Sequence, residues 1–358
     1  MRVVVAMSGG VDSTVACLKL KERGEEVIGI TMKTWPSEEC GQAGDRACCS
    51  LEALQYARGA AEDIGVPHYV TDLSREFISD VRDHFMEEYA RGRTPNPCIY
   101  CNSRMKFGHL MRKAKELGAD AVSTGHYARI TFSNGEPFLR EALDSDRDQS
   151  YFLCGIPKDE MADIFFPLGE MTKAEVRKIA ADNGFMSADR KSSQDICFTS
   201  PGSDYRKFLE EKGCGGFIPG DMVDTSGRIV GKHRGVGSYT VGQRKGLGLG
   251  LHFPLYVTAI DNVRNTVTVG KKEHVMKTKI RVKVFNWLLG EVPRGPSEFS
   301  VRIRHGAKKV PAVFSPVSGP EGFLDFNEKQ FAPTPGQAAV FYSGDIVAGG
   351  AWIEEVLD

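Results

Sequence analysis

The sequence predicts an α/β protein, with a parallel-sheet domain first and two small β-rich modules after it. Three observations carry that prediction. Short continuous apolar runs alternate with helix-like stretches up to about residue 127, a glycine-rich β-type pattern begins after about residue 203, and alternating polar and apolar segments dominate from about residue 280. The first pattern suits buried parallel strands with helical crossovers, and the last suits a small barrel.

In chain order, RVVVAM (2–7) is a strand buried on both faces, and VACLKLKERG after a glycine turn is a helix. VIGITM is a second buried strand, residues 50–64 a helix, PHYVTDL a third strand and residues 75–90 a helix. A proline-bracketed loop with two cysteines follows, then a helix over 103–117 and a fourth strand in ADAVSTGHY. Ligands of such sheets sit beyond the carboxyl ends of the strands. FSNGEPFLREA carries an Asn-Gly turn between short strands, a hairpin signature. Thr172 and Glu175 are spaced as a capping box, for a helix closed by Gly184. A short helix in SDYRKFLEEKG leads into the β-rich part, where IRVKVF, FSVRIRH and AAVFYSGDIVAGGAWI alternate. The expected domains are residues 1–203, 204–278 and 279–358.

The chain's 358 residues suit two or three domains, and its 41% apolar and 26% charged content is ordinary for a globular protein. No run of eighteen apolar residues predicts a membrane span, and the N-terminus enters a strand with no leader pattern, so the expectation is a cytoplasmic protein. The net charge is −1, yet residues 262–309 hold twelve Lys/Arg against three Asp/Glu. A local basic excess on a near-neutral chain suits either a polyanion footprint or a solvated face.

Ala6, Met7, Ser8, Gly9, Gly10, Val11, Asp12 and Ser13 lie between the first strand and the first helix. Glycines there admit an anion to the backbone, and the helix N-terminus supplies amide donors. The string lacks the Gly-Lys-Ser/Thr of a Walker loop and the spacing GxGxxG. A capped strand–helix turn is the bland alternative. SGGVDS resembles the PP-loop of ATP pyrophosphatases, which split ATP to AMP and pyrophosphate while adenylating a substrate. The resemblance implies that the loop amides hold the pyrophosphate and that Asp12 helps place Mg²⁺. It also implies that Met32 on the second strand contacts adenine and that Gly125 borders the nucleotide. Read without it, Met32 is a buried strand methionine and His126 is either a core histidine or a substrate contact.

An odd count of nine cysteines without a leader argues against a secreted disulfide framework. The CxxC of NPCIYCN has several readings: half of a zinc site, a redox pair, part of an iron–sulfur site, or one nucleophile beside an idle neighbour. Cys197, in KSSQDICF, has Arg190 and Lys191 nearby, and cations favour thiolate. Cys17 and Cys154 fall in apolar contexts and read as inert. Cys40, Cys48, Cys49 and Cys214 lie in loop-like stretches and receive no role.

SGGVDS, NPCIYCN followed by KFG, TGHYAR, DQSYFL, KSSQDICF, GFIPGDMV, YTVGQRKGLG and TPGQAAVFY occur in one order across nearly the whole chain. Together they resemble the bacterial tRNA-specific 2-thiouridylases, which replace oxygen by sulfur at C2 of the wobble uridine, position 34, of certain tRNAs. The resemblance implies a PP-loop domain of the adenine nucleotide alpha-hydrolase type, a small central domain and a C-terminal β-barrel. It makes Cys101 the nucleophile and Cys197 the carrier of a persulfide, loaded by a sulfur-relay protein or cysteine desulfurase. ATP activates the uridine oxygen with loss of pyrophosphate, and the terminal persulfide sulfur attacks C2, or Cys101 first releases it as hydrosulfide; AMP leaves, and on the second route a Cys101–Cys197 disulfide remains to be reduced. Asn96, Pro97, Cys98 and His126 border the target base. Arg147, Asp148, Gln149, Arg304, His305 and Gln337 lie near tRNA, Arg304 within the basic stretch. Read alone, Arg304 is a solvated strand residue and Gln149 a helix cap.

Cys98 departs from the family pattern, where many members carry Asp as an acid/base. A cysteine there opens a second route, in which Cys98, Cys101 and Cys197 hold three irons of a [4Fe–4S] cluster whose fourth iron binds sulfide. Zinc is disfavoured because it would want a fourth ligand. Two further readings remain: a PP-loop enzyme acting on small molecules, such as a GMP synthetase or argininosuccinate synthetase type, and a non-catalytic RNA- or metal-binding protein. The first needs neither the spaced cysteines nor a basic barrel; the intact SGGVDS loop speaks against the second.

Overall fold

The computed structural model describes residues 1–35, 51–188, 190, 196–198, 205–250 and 253–357. They form two compact units. One takes the described residues within Met1–Arg82, Pro97–Asp204 and Asp345–Val347; the other takes those within Asp83–Asn96, Tyr205–Gly344 and Ala348–Asp358.

The first unit is built on a sheet of β1 (Arg2–Ala6), β2 (Glu26–Lys33), β3 (His68–Asp72), β4 (Ala121–Ser123) and β7 (Ile164–Phe165), in the order β3-β2-β1-β4-β7. Its pairings are parallel throughout. β1 is central, and Val3, Val4 and Val5 are fully buried, which is why its sequence is an unbroken apolar run rather than an alternating one. The chain leaves β1 for β2 on one side and returns to β4 on the other. The crevice between the ends of β1 and β4 is therefore a topological switch point, where open α/β sheets take ligands. Helix α1 (Val11–Glu22) follows β1, and α2 (Leu51–Ile64) buries Ala53, Ala57, Ala60 and Ala61. The stripe lies at positions i, i+4, i+7 and i+8, one narrow face, and Ala57, Ala60 and Ala61 pack with Cys17, Leu20 and β1 in a single core cluster.

The hairpin formed as read: β5 (Arg129–Ser133) and β6 (Glu136–Arg140) join through Asn134 and Gly135, both at positive φ, a primed turn. Thr172 and Glu175 make the expected reciprocal cap on helix Lys173–Asp182, and Gly184 follows at φ +68°. The CxxC segment differs from expectation. It is helix, not loop: Pro97–Tyr100 is α-helical, Cys101–His109 winds with wider π-type turns, and Leu110–Glu116 returns to α. Pro97 occupies the first helical position, where a missing N–H costs nothing, so the proline that suggested a loop opens the helix. The fourth strand is also shorter than ADAVSTGHY suggested: it ends at Ser123, and Thr124 to Ala128 lie outside the sheet.

In the second unit, β8 (Gly220–Asp224), β9 (Ile229–His233), β10 (Tyr256–Asp261) and β11 (Thr266–Gly270) make a sheet ordered β10-β11-β8-β9. β12 (Met276–Trp287), β13 (Ser297–Arg302), β14 (Val310–Ser318), β15 (Glu321–Phe331), β16 (Ala338–Ser343) and β17 (Ile346–Val356) form a six-stranded barrel, closed where β12 pairs with β17. Closure removes the sheet edges. Its interior holds Ile280, Val282, Val301, Phe314, Leu324, Phe341 and Ile353, with Trp287 edge-on to Phe341. The segment Asp83–Asn96 belongs to this unit. Arg93 donates to Glu88 (2.7 Å) and Glu354 (2.9 Å), and Gln337 donates to the Thr94 carbonyl (2.9 Å).

Candidate active site

The turn from β1 into α1 is shaped by steric necessity. Gly9 has φ +71°, and a Cβ there would run into the Ala53 carbonyl of α2. Gly10 is the N-cap of α1, so the cap residue itself supplies no side-chain hydrogen bond to the helix N-terminus. An uncapped N-terminus at the carboxyl edge of a parallel sheet suits an anion. The loop is braced from within. Ser13 Oγ accepts from the Ser8 N–H (3.2 Å) and donates to the Gly10 carbonyl (3.0 Å), and Thr14 Oγ1 donates to the same carbonyl (3.2 Å). Ser8 is exposed, Val11 is core, and half-buried Ala6 ends β1. Met7 is core rather than lining: 2% exposed, its sulfur fills the space a Cβ on Gly29 would need. Met32 is half-buried on β2. Gly125 has a plain steric reason: a Cβ would stand 2.6 Å from the Asp12 carbonyl carbon and 2.7 Å from the Ser13 nitrogen. The end of β4 thus runs against the first turn of α1 backbone to backbone.

Asp12 is already paired. Lys173 Nζ lies 2.6 and 2.7 Å from its two oxygens, and the Tyr127 hydroxyl donates to one of them at 2.8 Å. Burial lowers the Lys173 pKa, with Asp12 opposing, while burial and then Asp12 raise that of Tyr127. A divalent ion approaching Asp12 would meet this ammonium, so Asp12 does not fit as a metal ligand here. No motif in the sequence marks Lys173, which follows the Thr172 cap 161 positions from Asp12. Arg190, expected as a cation near Cys197, donates to the Gly9 carbonyl (3.0 Å) and stacks 5.0 Å from the Tyr56 ring. Lys191 lies outside the described residues.

In the cysteine helix, Cys98 is exposed and Cys101 half-buried; Asn96 and Pro97 are buried. Crowding by surrounding atoms, then Cys101, pushes the Cys98 thiol up to about 11. Its exposed surface leaves that desolvation partial. The nearby Lys106 pulls the other way. Lys106 lies 3.3 Å from His126 Nε2, whose ring is buried, and Thr124 Oγ1 is 2.6 Å from Nδ1. An ammonium only donates, so Nε2 accepts and Nδ1 carries the proton toward Thr124. Burial, then Lys106, holds the His126 pKa well below 6.5, and the ring is neutral. The described cysteines are all thiols, Cys197 half-buried and Cys17 and Cys154 fully buried. Burial raises the Cys17 thiol to about 12, as its inert reading requires. Cys40, Cys48 and Cys49 lie outside the described residues. Among the described residues no three His, Cys, Asp or Glu side chains are grouped to hold a metal ion, so Cys98, Cys101 and Cys197 do not form an iron cradle here.

Sequence comparison assigns the chain. Residues 1–201 match the model of a tRNA methyl transferase HUP domain, 206–271 a PRC-barrel domain of the same series, and 277–353 an aminomethyltransferase β-barrel domain. The tRNA-specific 2-thiouridylase MnmA of Moorella thermoacetica is 45% identical over 99% of both chains. Its counterpart in Halothermothrix orenii is 43% identical, also over 99% of both. This chain belongs to the tRNA-specific 2-thiouridylase family. The domain models carry methyl-transfer names, but identity over the full length lies with the thiouridylases. A solved 4-thiouridine synthetase–RNA complex with bound ATP aligns at TM-score 0.36 and 18% identity, over 59% of this chain and 50% of that one, too distant to add to the assignment.

The remaining thiouridylase positions fall in both units. In the first, Arg147 is half-buried. Asp148 is buried, accepting from the Ala142 and Ser150 N–H groups (both 3.1 Å) and the Ser150 hydroxyl (2.9 Å). Gln149 precedes helix Ser150–Leu153 but does not cap it through its side chain, which accepts from the Tyr127 N–H at 2.9 Å. In the second unit, Arg304 is half-buried and His305 exposed. Gln337 is spent on backbone: besides Thr94, it donates to the Pro95 carbonyl at 3.3 Å.

Proposed function

We propose that this thiouridylase converts the wobble uridine of tRNA to 2-thiouridine with ATP and a persulfide sulfur. The reading is carried by one observation, the uncapped, glycine-shaped turn at the switch point of a chain 45% identical to a 2-thiouridylase over 99% of its length. The amides at the start of α1 bind the departing pyrophosphate. Mg²⁺, when present, is carried by the nucleotide's phosphates and screens their charge.

Uridine O2 attacks the α-phosphorus, the bond to pyrophosphate breaks, and O2 becomes a phosphate ester whose leaving group is AMP. Cys197, loaded as Cys–S–SH by a sulfur-donor protein, supplies the incoming sulfur. Its terminal sulfur adds at C2 and AMP leaves with the C2–O bond. Cys101 thiolate then attacks Cys197 Sγ, giving 2-thiouridine and a Cys101–Cys197 disulfide. Alternatively Cys101 attacks first and frees hydrosulfide, which adds at C2. Either order requires an external thiol to return two electrons to the disulfide. Neutral His126, its ring nitrogens engaged by Lys106 and Thr124, stands beside the cysteine helix without adding charge.

The chain works in the cytoplasm, where tRNA, ATP and reducing thiols coexist; among the described residues no helix is long and apolar enough to cross a membrane. The test is anaerobic purification, with iron and sulfide assays, a visible spectrum and thiolation assays. Iron-free protein that thiolates tRNA from a persulfide donor, releases pyrophosphate only with tRNA, and loses thiolation as Cys101→Ser or Cys197→Ser is the expected result. Activity that tracks bound iron and falls in Cys98→Ser would transfer the sulfur to a cluster. Pyrophosphate release with a small molecule replacing tRNA would overturn the reading.

A further inference from the structure

The second unit carries a shallow hollow of about 490 Å³ whose lining includes Tyr205, Arg206, Gln243, Lys245 and Arg304 and, among the described residues, no carboxylate. Two of its cations are held in place by backbone. The Arg206 Nε donates to the Ser238 carbonyl at 2.6 Å, its Nη2 donates to Gln243 Oε1 at 3.3 Å, and its guanidinium lies 5.2 Å from the Tyr205 ring centre. The Arg304 Nη2 donates to the Ala332 carbonyl at 2.9 Å.

Ala332 explains why that carbonyl is where it is. It is fully buried with φ +49°, a conformation that costs a non-glycine residue of order 1–3 kcal/mol unless its surroundings impose it. Thr334 Oγ1 (2.9 Å) also donates to the same oxygen, and the Ala332 N–H donates to Val275 (2.7 Å). The loop of YTVGQRKGLG lies directly on it. Gly242, φ +87°, has no room for a side chain, since a Cβ would stand 2.6 Å from the Ala332 Cβ. The Gly242 N–H donates to the Val257 carbonyl, and Gln243 is tied at both ends, accepting from the Thr240 N–H (3.1 Å) and donating to the Lys245 carbonyl (2.9 Å). Strain, a close glycine approach and a braced loop thus bring Arg206, exposed Lys245 and Arg304 around one concavity.

We infer that this hollow is a backbone-phosphate site for RNA, formed jointly by the Thr240–Gly246 loop, Arg206 and Arg304. Oriented guanidiniums with a mobile ammonium suit phosphate oxygens. A neighbouring aromatic ring suits a nucleotide rather than an isolated ion. The basic excess over 262–309 continues the same sign of charge. The site rests on the tRNA function proposed for this chain and adds Arg206, Lys245 and the loop to it.

The experiment is binding of an unmodified tRNA transcript to the full chain at 50–200 mM salt, comparing wild type with Lys245→Ala and Lys245→Glu, both checked for an unchanged thermal midpoint. Lys245 is exposed, so the fold tolerates either change. Lys245→Ala is expected to weaken binding about three- to tenfold and to lower the slope of log K against log salt by about one, with Lys245→Glu weaker still. Wild-type affinity and slope in both variants would overturn the phosphate site while leaving the tRNA reading intact. Failure of the wild type to bind the transcript would overturn both. Loss of binding to a polyglutamate peptide, with tRNA binding unchanged, would reassign the hollow to an acidic protein segment.

Discussion

Lys173→Met tests the pair at the head of α1. Methionine keeps much of the stem and removes the charge, leaving Asp12 its bond from the Tyr127 hydroxyl. The Lys173 side chain is 9% exposed and that of Asp12 is 30% exposed. Breaking a fully buried pair costs about 3–5 kcal/mol, but water still reaches Asp12, so the expected loss of stability is about 1–2 kcal/mol. The larger effect is on ATP. An unneutralised carboxylate in the first turn of α1 repels phosphates arriving at that turn. At roughly 6–8 Å and an effective dielectric of about 20, one charge pair is worth about 2–3 kcal/mol. Solvent at Asp12 and ions on the nucleotide cut this to about 1 kcal/mol, or roughly five- to tenfold in affinity. Calorimetric titration with ATP measures it, with urea unfolding as the check on fold. Asp12→Asn combined with Lys173→Met is expected to restore affinity, because neither charge is then present. If Lys173→Met binds ATP as tightly as wild type, or the double variant binds no better than the single, the pair has no electrostatic part in nucleotide binding and the reasoning fails.

Gly125→Ala puts a methyl 2.6–2.8 Å from α1 backbone; it is expected to cost about 1–3 kcal/mol in urea unfolding and to weaken ATP binding by displacing the first turn. His126 has a depressed folded pKa, so the unfolded chain binds its proton first. Stability should therefore fall as pH drops below about 6.5, by at most about 1.4 kcal/mol per pH unit from this residue, and level off below the folded pKa. Asp72, held at about 2 by its bonds to Ser74 and Lys33, stays charged throughout that window. His126→Asn should flatten the slope measured by unfolding between pH 6.5 and 4.5, with His68 and His84, lowered chiefly by burial, supplying what remains; an unchanged slope would mean that His126 is not held neutral. Gln337→Leu removes both bonds to the Thr94 and Pro95 carbonyls and should cost about 1–2 kcal/mol, read as faster amide exchange in that segment.

The elements that read correctly from sequence are those fixed by neighbours within a few residues. The Asn134–Gly135 turn, the Thr172–Glu175 cap and the apolar run of β1 each needed only local stereochemistry or a one-dimensional pattern. The CxxC segment read wrongly because proline supports two local structures, a turn and a helix start, and the residues C-terminal to it decide between them. Two-residue β7 has too little pattern to read, and only its pairing with β4 defines it.

For the site, the sequence by itself determined the glycine-bearing turn into α1, the two cysteine segments and the family, because each is a contiguous string of residues. Tertiary structure decided what those residues touch. It brought Lys173 to Asp12 across 161 positions, turned Arg190 onto the Gly9 carbonyl, and spent Gln337 on Thr94. It also set Gly242 against Ala332, and with it the hollow around Arg206, Lys245 and Arg304. The physical reason is range. A motif constrains backbone dihedrals over a few residues, whereas ion pairs and close packing depend on atoms that only the folded chain brings within a few ångströms.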